Sequence, residues 1–314
     1  MALVLLRRLR DLIIIMFVVG TFLFFLIRAI PGDPAQVLLG VKATPQQLAA
    51  LREDLGLSGP IWQQYLHWAS RALTGDFGMS IKYHVPVSEL IVTHIAPTLM
   101  LAILSTVISF ILTVALVTWT TVRPRSITAR VVNKLVQFGL ALPDFWTALI
   151  FVFVFALTLG WFPTSGYTPL TQDPAVAISQ LVLPVAVLAI GSTAFYTITL
   201  EESVLGELSQ LYLRTARAKG LSETRIAIKH VLPNSLLPIL TTIGLNFASL
   251  IGGVVIIESI FVIPGLGTLL LGAVYARDFP LIQAGVLFIA FLFVFVNLLV
   301  DLAYSLADPK VRVS

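Results

Sequence analysis

The sequence predicts an all-α, polytopic membrane protein with six transmembrane helices and a helical extracytoplasmic insertion after the first. Three observations predict it. Of 314 residues, 58% are hydrophobic and only 11% are charged, where soluble proteins carry roughly 25% charged. Six long stretches hold no Asp, Glu, Lys or Arg: Leu12–Ile27, Leu90–Val122, Phe145–Gln172, Pro174–Leu200, Val231–Ile257 and Phe279–Val300. The basic residues between them gather on one side of the expected spans.

A membrane helix needs about 20 apolar residues, and five of the stretches are long enough. The first reaches that length when Leu9 and the snorkelling stem of Arg28 are added. Spans are expected over 9–29, 98–121, 135–159, 179–200, 236–259 and 281–303. The basic, then apolar start also suits a signal peptide. No small-x-small cleavage site follows it in "RAIPGDPA", so the first helix is read as uncleaved.

Orientation follows from the cations. Arg7, Arg8 and Arg10 precede span 1, and Arg123, Arg125, Arg130 and Lys134 separate spans 2 and 3. Arg214, Arg217, Lys219, Arg225 and Lys229 lie between spans 4 and 5, and Lys310 and Arg312 follow span 6. The positive-inside rule places these, and both termini, in the cytoplasm. The expected organisation is 1–30 (N-terminus and span 1), 31–95 (extracytoplasmic insertion), 96–305 (core, with a cytoplasmic loop at 201–233) and 306–314 (tail).

Inside the insertion, "TPQQLAALREDLG" reads as a helix with Thr44 as N-cap, Pro45 at N1, Gln47 closing a capping box and Gly56 as C-cap. "PIWQQYLHWASRALTG" reads as a second helix ending near Gly75. Its Trp62, Tyr65, Leu66 and Trp68 suit either the membrane interface or a core of the insertion's own.

In loop 201–233, helical periodicity runs through Leu205, Leu208, Leu211 and Tyr212 to Gly220, a C-cap candidate. Ser222 is a good N-cap for a second helix and Glu223 suits its positive end. Pro233 should end that helix, and Pro238 should fall in the first turn of span 5. The residues around the bend are small, which suits either a docked protein or contact with anionic lipid.

This loop resembles the "EAA" loop of ABC-importer permeases. Arg214-Thr215-Ala216 stands at the triplet, Gly220 at the glycine and Leu232-Pro233 at the ending, with arginine in place of the acid. "RTARAKGLSE", "IPGDPA" (30–35), "GDFGMS" (75–80), "PDFW" (143–146), "IIESIFVIPGLG" (256–267), "RDFPLIQ" (277–283) and "VDLAYSLADPKVR" (300–312) are similar to the dipeptide/oligopeptide/nickel branch, first permease subunit.

The resemblance implies the type I importer permease fold and a transport role without catalysis. It implies a second homologous permease subunit, two ATP-hydrolysing subunits that use ATP and Mg, and an extracytoplasmic substrate-binding protein. Arg214, Thr215, Ala216, Arg217, Ala218, Lys219, Gly220, Leu221, Ser222 and Glu223 would form the ATPase-coupling bend. Peptide is the expected cargo, with nickel or a metal chelate as the alternative.

The residues agree that energy comes from elsewhere, because no G-x-x-x-x-G-K phosphate loop is present. No cofactor, metal or nucleic acid is expected to bind. The four histidines, His67, His84, His94 and His230, have no ligand spacing. A self-powered secondary transporter would need repeats or mid-membrane charges, which the sequence lacks. Polar residues within spans face protein or water. Ser105 and Ser109 on span 2, and Asn246 and Ser249 on span 5, are candidates either for a substrate pathway or for hydrogen bonds between helices. Asn297 and Asp301 offer the same choice. Glu258 is expected to orient the "IPGLG" turn, and Asp144 to cap a break in span 3.

Overall fold

A computed structural model describes residues 2–29, 43–54 and 59–307. The Gly56 cap, the "IPGDPA" stretch, the Lys310–Arg312 tail and the side chains of Asp301 and Ser305 lie outside the described residues. The chain forms two compact units, one of residues 1–96 and 265–294, the other of 97–264 and 295–314. Among the described residues the regular structure is helical, with one isolated bridge, Met79–Pro86.

The first unit holds α1 (Ala2–Ala29), α2 (Pro45–Asp54), α3 (Ile61–Leu73), the start of α4 (Val87–Val122), α12 (Leu266–Ala276) and the start of α13 (Phe279–Ala307). The capping box of α2 is reciprocal. The Thr44 N–H donates to Gln47 Oε1 (3.0 Å), and the Gln47 N–H donates to Thr44 Oγ1 (3.3 Å). Helix α3 packs on α1: Tyr65 OH shares a hydrogen bond with Thr21 Oγ1 (2.7 Å), and Arg28 Nε donates to Gln64 (3.0 Å). Tyr65 and Trp68 both contact the buried ring of Phe24. Of the four aromatic-face residues, Tyr65 and Trp68 therefore bury against span 1, while Trp62 and Leu66 stay exposed.

The hub of this unit is Asp278, fully buried at the start of α13. Its carboxylate accepts from Ser80 Oγ (2.5 Å), the Lys82 N–H (3.1 Å) and, as N-cap, the Leu281 N–H (3.3 Å). A buried carboxylate is tolerable only with such donors. The stretches "GDFGMS" and "RDFPLIQ" are thus joined through one side chain. Around them Val87, Leu90, Ile91, Leu266, Leu269, Ala273, Leu281 and Ala284 form an apolar core.

The second unit holds the rest of α4, then α5 (Ile127–Ala141), α6 (Asp144–Phe151), α7 (Pro174–Leu208), α8 (Leu211–Ala218), α9 (Glu223–Ile226), α10 (Leu232–Gly253), α11 (Val255–Ile260) and the end of α13. Helices α4 and α7 pair through hydroxyls. Ser109 Oγ donates to Ala189 O (3.2 Å), Thr113 Oγ1 to Thr193 O (3.4 Å) and Thr120 Oγ1 to Glu201 Oε1 (3.3 Å). Both partners advance together, so α4 and α7 run parallel. The chain leaves α4 level with the end of α7 and must return about 40 Å to re-enter α7 at Pro174. Helices α5 and α6 make that return, and both pack on α7.

The third span expected over 135–159 is therefore present, and it breaks at Pro143–Asp144 as expected. It is a pair of helices bent by 107°. Pro143 lacks an N–H and crowds the preceding turn, which pushes Leu142 to an extended ψ of 124°. Asp144 occupies the first turn of α6, where its charge meets the positive helix end. Pro143 rather than Asp144 takes the capping position, without a side-chain hydrogen bond. Among the described residues, with the bent pair as one span, six helices or helix pairs are apolar and long enough to cross a membrane.

Where α10 meets α13, a Cβ on Gly244 would stand 2.4 Å from Val300 Cγ2, so the helices touch there only because the residue is glycine. Glu258, fully buried, accepts from Thr98 Oγ1 (2.5 Å), while its carbonyl accepts the Ile263 N–H (2.8 Å) at the "IPGLG" turn.

Three substitutions test these contacts. Asp278→Ala should cost more than about 2 kcal/mol, read as a lower thermal midpoint of the purified chain. Asp76→Ala, at an exposed ion pair with Arg71, should cost less than about 1 kcal/mol. Gly244→Ala should cost about 1–3 kcal/mol by overpacking in the same measurement.

Candidate functional site

The bend expected at 214–223 is present and is built at its two ends as a sequence reading allows. Helix α8 stops in a complete Schellman arrangement: the Leu221 N–H donates to Ala216 O (3.3 Å) and the Gly220 N–H to Arg217 O (2.9 Å). Gly220 takes φ +77°, a left-handed conformation that costs any L side chain roughly 1–2 kcal/mol. Ser222 Oγ then accepts the Arg225 N–H (3.4 Å) and starts α9. Arg217 and Glu223 close the bend with a two-pronged ion pair, Nε to Oε1 at 2.8 Å and Nη2 to Oε2 at 3.3 Å.

The bend has a buried root and an exposed crest. Leu213, Ala216, Ile226, Ala227 and Val231 are buried, most of them in one apolar cluster with Val117 of α4, Tyr196, Leu200 and Val204 of α7, and Ile239 of α10. Leu221 packs partly against the same cluster. Arg214, Thr215, Arg217, Ala218, Lys219, Gly220, Ser222 and Glu223 are all exposed. Of the ten candidate coupling residues, only Ala216 is fully turned inward.

Three features differ from the expected course. Periodicity from Leu205 to Gly220 suggested one helix, but the chain breaks at Ser209–Gln210. Ser209 Oγ turns back to Gly206 O (2.7 Å), which competes with the helical ladder. Pro233 does not end the second helix. A π-helical stretch, Ala227–Val231, widens the turns just before it, and the helix runs on as α10. Pro238 accordingly lies inside α10 rather than in its first turn, and removes one backbone bond there.

A second set of residues ties the bend to the spans. Tyr212 OH donates to Glu207 Oε1 at the end of α7. Asn234 Nδ2, at the start of α10, donates to the same Glu207 oxygen (3.0 Å) and to Tyr212 OH (3.1 Å). Ser203 Oγ reaches Ser235 O (3.1 Å) beside them. Sequence reasoning missed this clamp. The available signal was Glu207 itself, an acid at a helix C-terminus, where the dipole disfavours it unless donors are supplied.

The pathway candidates fall apart into three environments. Ser105 and Ser109 are fully buried, and each donates to a carbonyl of its own helix, Leu101 O (2.7 Å) and Ser105 O (2.6 Å). Asn246 Oδ1 accepts from Ser192 Oγ (3.0 Å) and Tyr196 OH (2.9 Å), binding α10 to α7. Ser249 is exposed. The structure thus gathers Ser109 and Asn246 onto α7 as contacts between helices, and leaves Ser249 apart. Thr113 and Thr120, which continue the buried hydroxyl face of α4, were overlooked, although their spacing from Ser105 and Ser109 places all four on one side of the helix.

Residues 112–313 match the family described as "Binding-protein-dependent transport system inner membrane component", and residues 1–102 match its N-terminal companion, "Binding-prot-dependent transport system membrane comp, N-term". A Sinorhizobium fredii protein, "Probable peptide ABC transporter permease protein y4tP", is 40% identical over 312 residues, 99% of this chain and 100% of that one. The Bacillus subtilis "Oligopeptide transport system permease protein AppB" is 38% identical over 292 residues, 92% of each chain. The Escherichia coli "Glutathione transport system permease protein GsiC" is 36% identical over 306 residues, 98% and 97%. Among solved structures, an inward-facing MetNI methionine ABC transporter has the same fold, with a TM-score of 0.56 at 18% identity over 70% of this chain and 96% of that one. With two family matches that together cover most of its length, the chain belongs to the inner-membrane components of binding-protein-dependent transport systems.

Proposed function

We propose that the chain is the permease subunit of an ATP-binding-cassette importer of di- and oligopeptides, and that its bend at 214–223 receives a separate ATP-hydrolysing subunit. The observation that carries the coupling role is the division of the bend into a buried root and an exposed crest. Names of relatives that refer to peptide, oligopeptide and glutathione, itself a short peptide, support the cargo. The placement of the basic residues supports an orientation with both termini and the bend in the cytoplasm.

In this reading, two homologous permease subunits pair in the bilayer and each bend seats one ATPase. A binding protein delivers cargo from the far side. ATP and Mg are held by the ATPases, and this chain binds no cofactor. ATP closes the ATPase pair and moves the bends together. The Arg217–Glu223 bridge and the capped turn keep each bend stiff, and the Glu207–Tyr212–Asn234 clamp passes its displacement to α7 and α10. Each conformational state is then selected by the ligand it binds best.

Cargo is tested by uptake of a labelled dipeptide and of labelled nickel in cells with and without the chain. Loss of dipeptide uptake alone is expected, and loss of nickel uptake alone would replace peptide by a metal or its chelate. Gly220→Trp tests the bend. Nothing in this chain lies within 4 Å of a Cβ there, so the membrane fold should be kept while uptake per ATP hydrolysed falls tenfold or more. Normal uptake by that variant would remove the bend from the coupling role. Tyr212→Phe combined with Asn234→Leu should lower the same ratio severalfold, with the membrane fold retained.

A further inference from the structure

Helix α3 has three faces of different character. At 100° per residue, Trp62, Leu66, Ala69 and Leu73 fall within a sector about 60° wide. Tyr65, Trp68 and Ala72 fill the next sector, the one that packs on α1. His67 and Arg71 lie on the side opposite the first, with Gln63 and Ser70 between the two. The Trp62 sector is uncovered: Trp62 and Leu66 are each 58% exposed, and Leu73 is 89% exposed. An apolar stripe this open on a soluble insertion would meet water at a cost of about 25 cal/mol per Å².

The contacts of α3 with α1 fix its depth. Trp68 packs against Gly20, at 3.3 Å from where a Cβ would be, and Tyr65 bonds Thr21. The apolar span of α1 is Leu6–Ala29. Any stretch of about 20 residues chosen within it to fill the hydrocarbon includes both Gly20 and Thr21. At 1.5 Å per residue, Gly20 then lies about 7–14 Å below the boundary near Arg28. The rings of Tyr65 and Trp68 therefore reach past the headgroups, and the body of α3 cannot stand clear of the membrane. The stripe also continues a lipid-facing surface, because Phe25 of α1, 46% exposed, stacks on Tyr65 at 6.1 Å.

We infer that α3 is an interfacial amphipathic helix whose Trp62–Leu66–Leu73 stripe is seated in lipid acyl chains, with its Gln63–His67–Arg71 side turned to water. The occupant of the stripe is the bilayer itself. The helix braces α1 from the side, wedging two aromatic rings against its outer half.

The chain has no cysteine, so single cysteines at Leu66, Leu73 and His67 can each carry a bimane label. The full chain is placed in phosphatidylcholine nanodiscs with or without brominated acyl chains. Label at Leu66 and Leu73 should lose at least half its emission to the brominated lipid, while label at His67 should keep it. Unquenched, water-like emission at Leu66 and Leu73 would overturn the inference. Unquenched but blue-shifted emission would overturn it too, by showing a protein on the stripe. Should those variants fold poorly, Trp62→Phe gives a second reading. Bromolipid-quenchable tryptophan emission should drop relative to the unaltered chain, and an undiminished signal would overturn the inference.

Discussion

A helix in hydrocarbon has no water to satisfy its polar groups, and this protein is arranged around that constraint. Its second and fourth spans carry hydroxyls along their shared seam, where Ser105, Ser109, Thr113 and Thr120 each donate to a carbonyl or a carboxylate. That seam fixes α4 and α7 as parallel partners. It thereby sets the path of the bent third span and the level at which α7 ends. The cluster around Tyr196, Leu200, Val204 and Ile239 forms where these helices converge with α10, and the bend is rooted in it. The order is polar register first, apolar root second, exposed crest last, and the proposed coupling role uses all three.

The bend is stiff by several small local devices rather than by one large contact. A capped turn and an ion pair across it act over one or two turns of chain, and a three-residue clamp at its base ties it to α7 and α10. Exposed ion pairs contribute little to stability, commonly under about 1 kcal/mol. Their use here is geometric, since Arg217 and Glu223 hold two short helices at a fixed angle. The crest is left free of tertiary packing, which is what a surface waiting for another protein requires.

Much of this was legible in the sequence because it rests on local chemistry. Charge-free runs gave the spans, Gly220 and Ser222 gave the turn, and Thr44 with Gln47 gave the capping box. The clamp was not legible, since Glu207, Tyr212 and Asn234 come from three helices and only the fold brings them together. The break in span 3 was legible from Pro143 and Asp144, but its 107° bend was not, because apolar composition carries no angle. The reading of Pro233 as a stop failed because a π-helical stretch lets the helix absorb a residue that usually ends one. Asn246 was recognised as significant, but its partners Ser192 and Tyr196 could be found only in three dimensions.

The joining of Ser80 to Asp278 has a consequence for the birth of the protein. The early part of the chain makes its hub with residues that the ribosome delivers near the end of synthesis. Asp278 follows Ser80 by 198 residues, which at about 5–20 residues per second takes on the order of 10–40 s to translate. During that time α1 and the insertion sit in the membrane without the surface against which α12 and α13 will close. Maturation of this unit is therefore a late event, and the nascent chain offers membrane chaperones and proteases a long window in which to act.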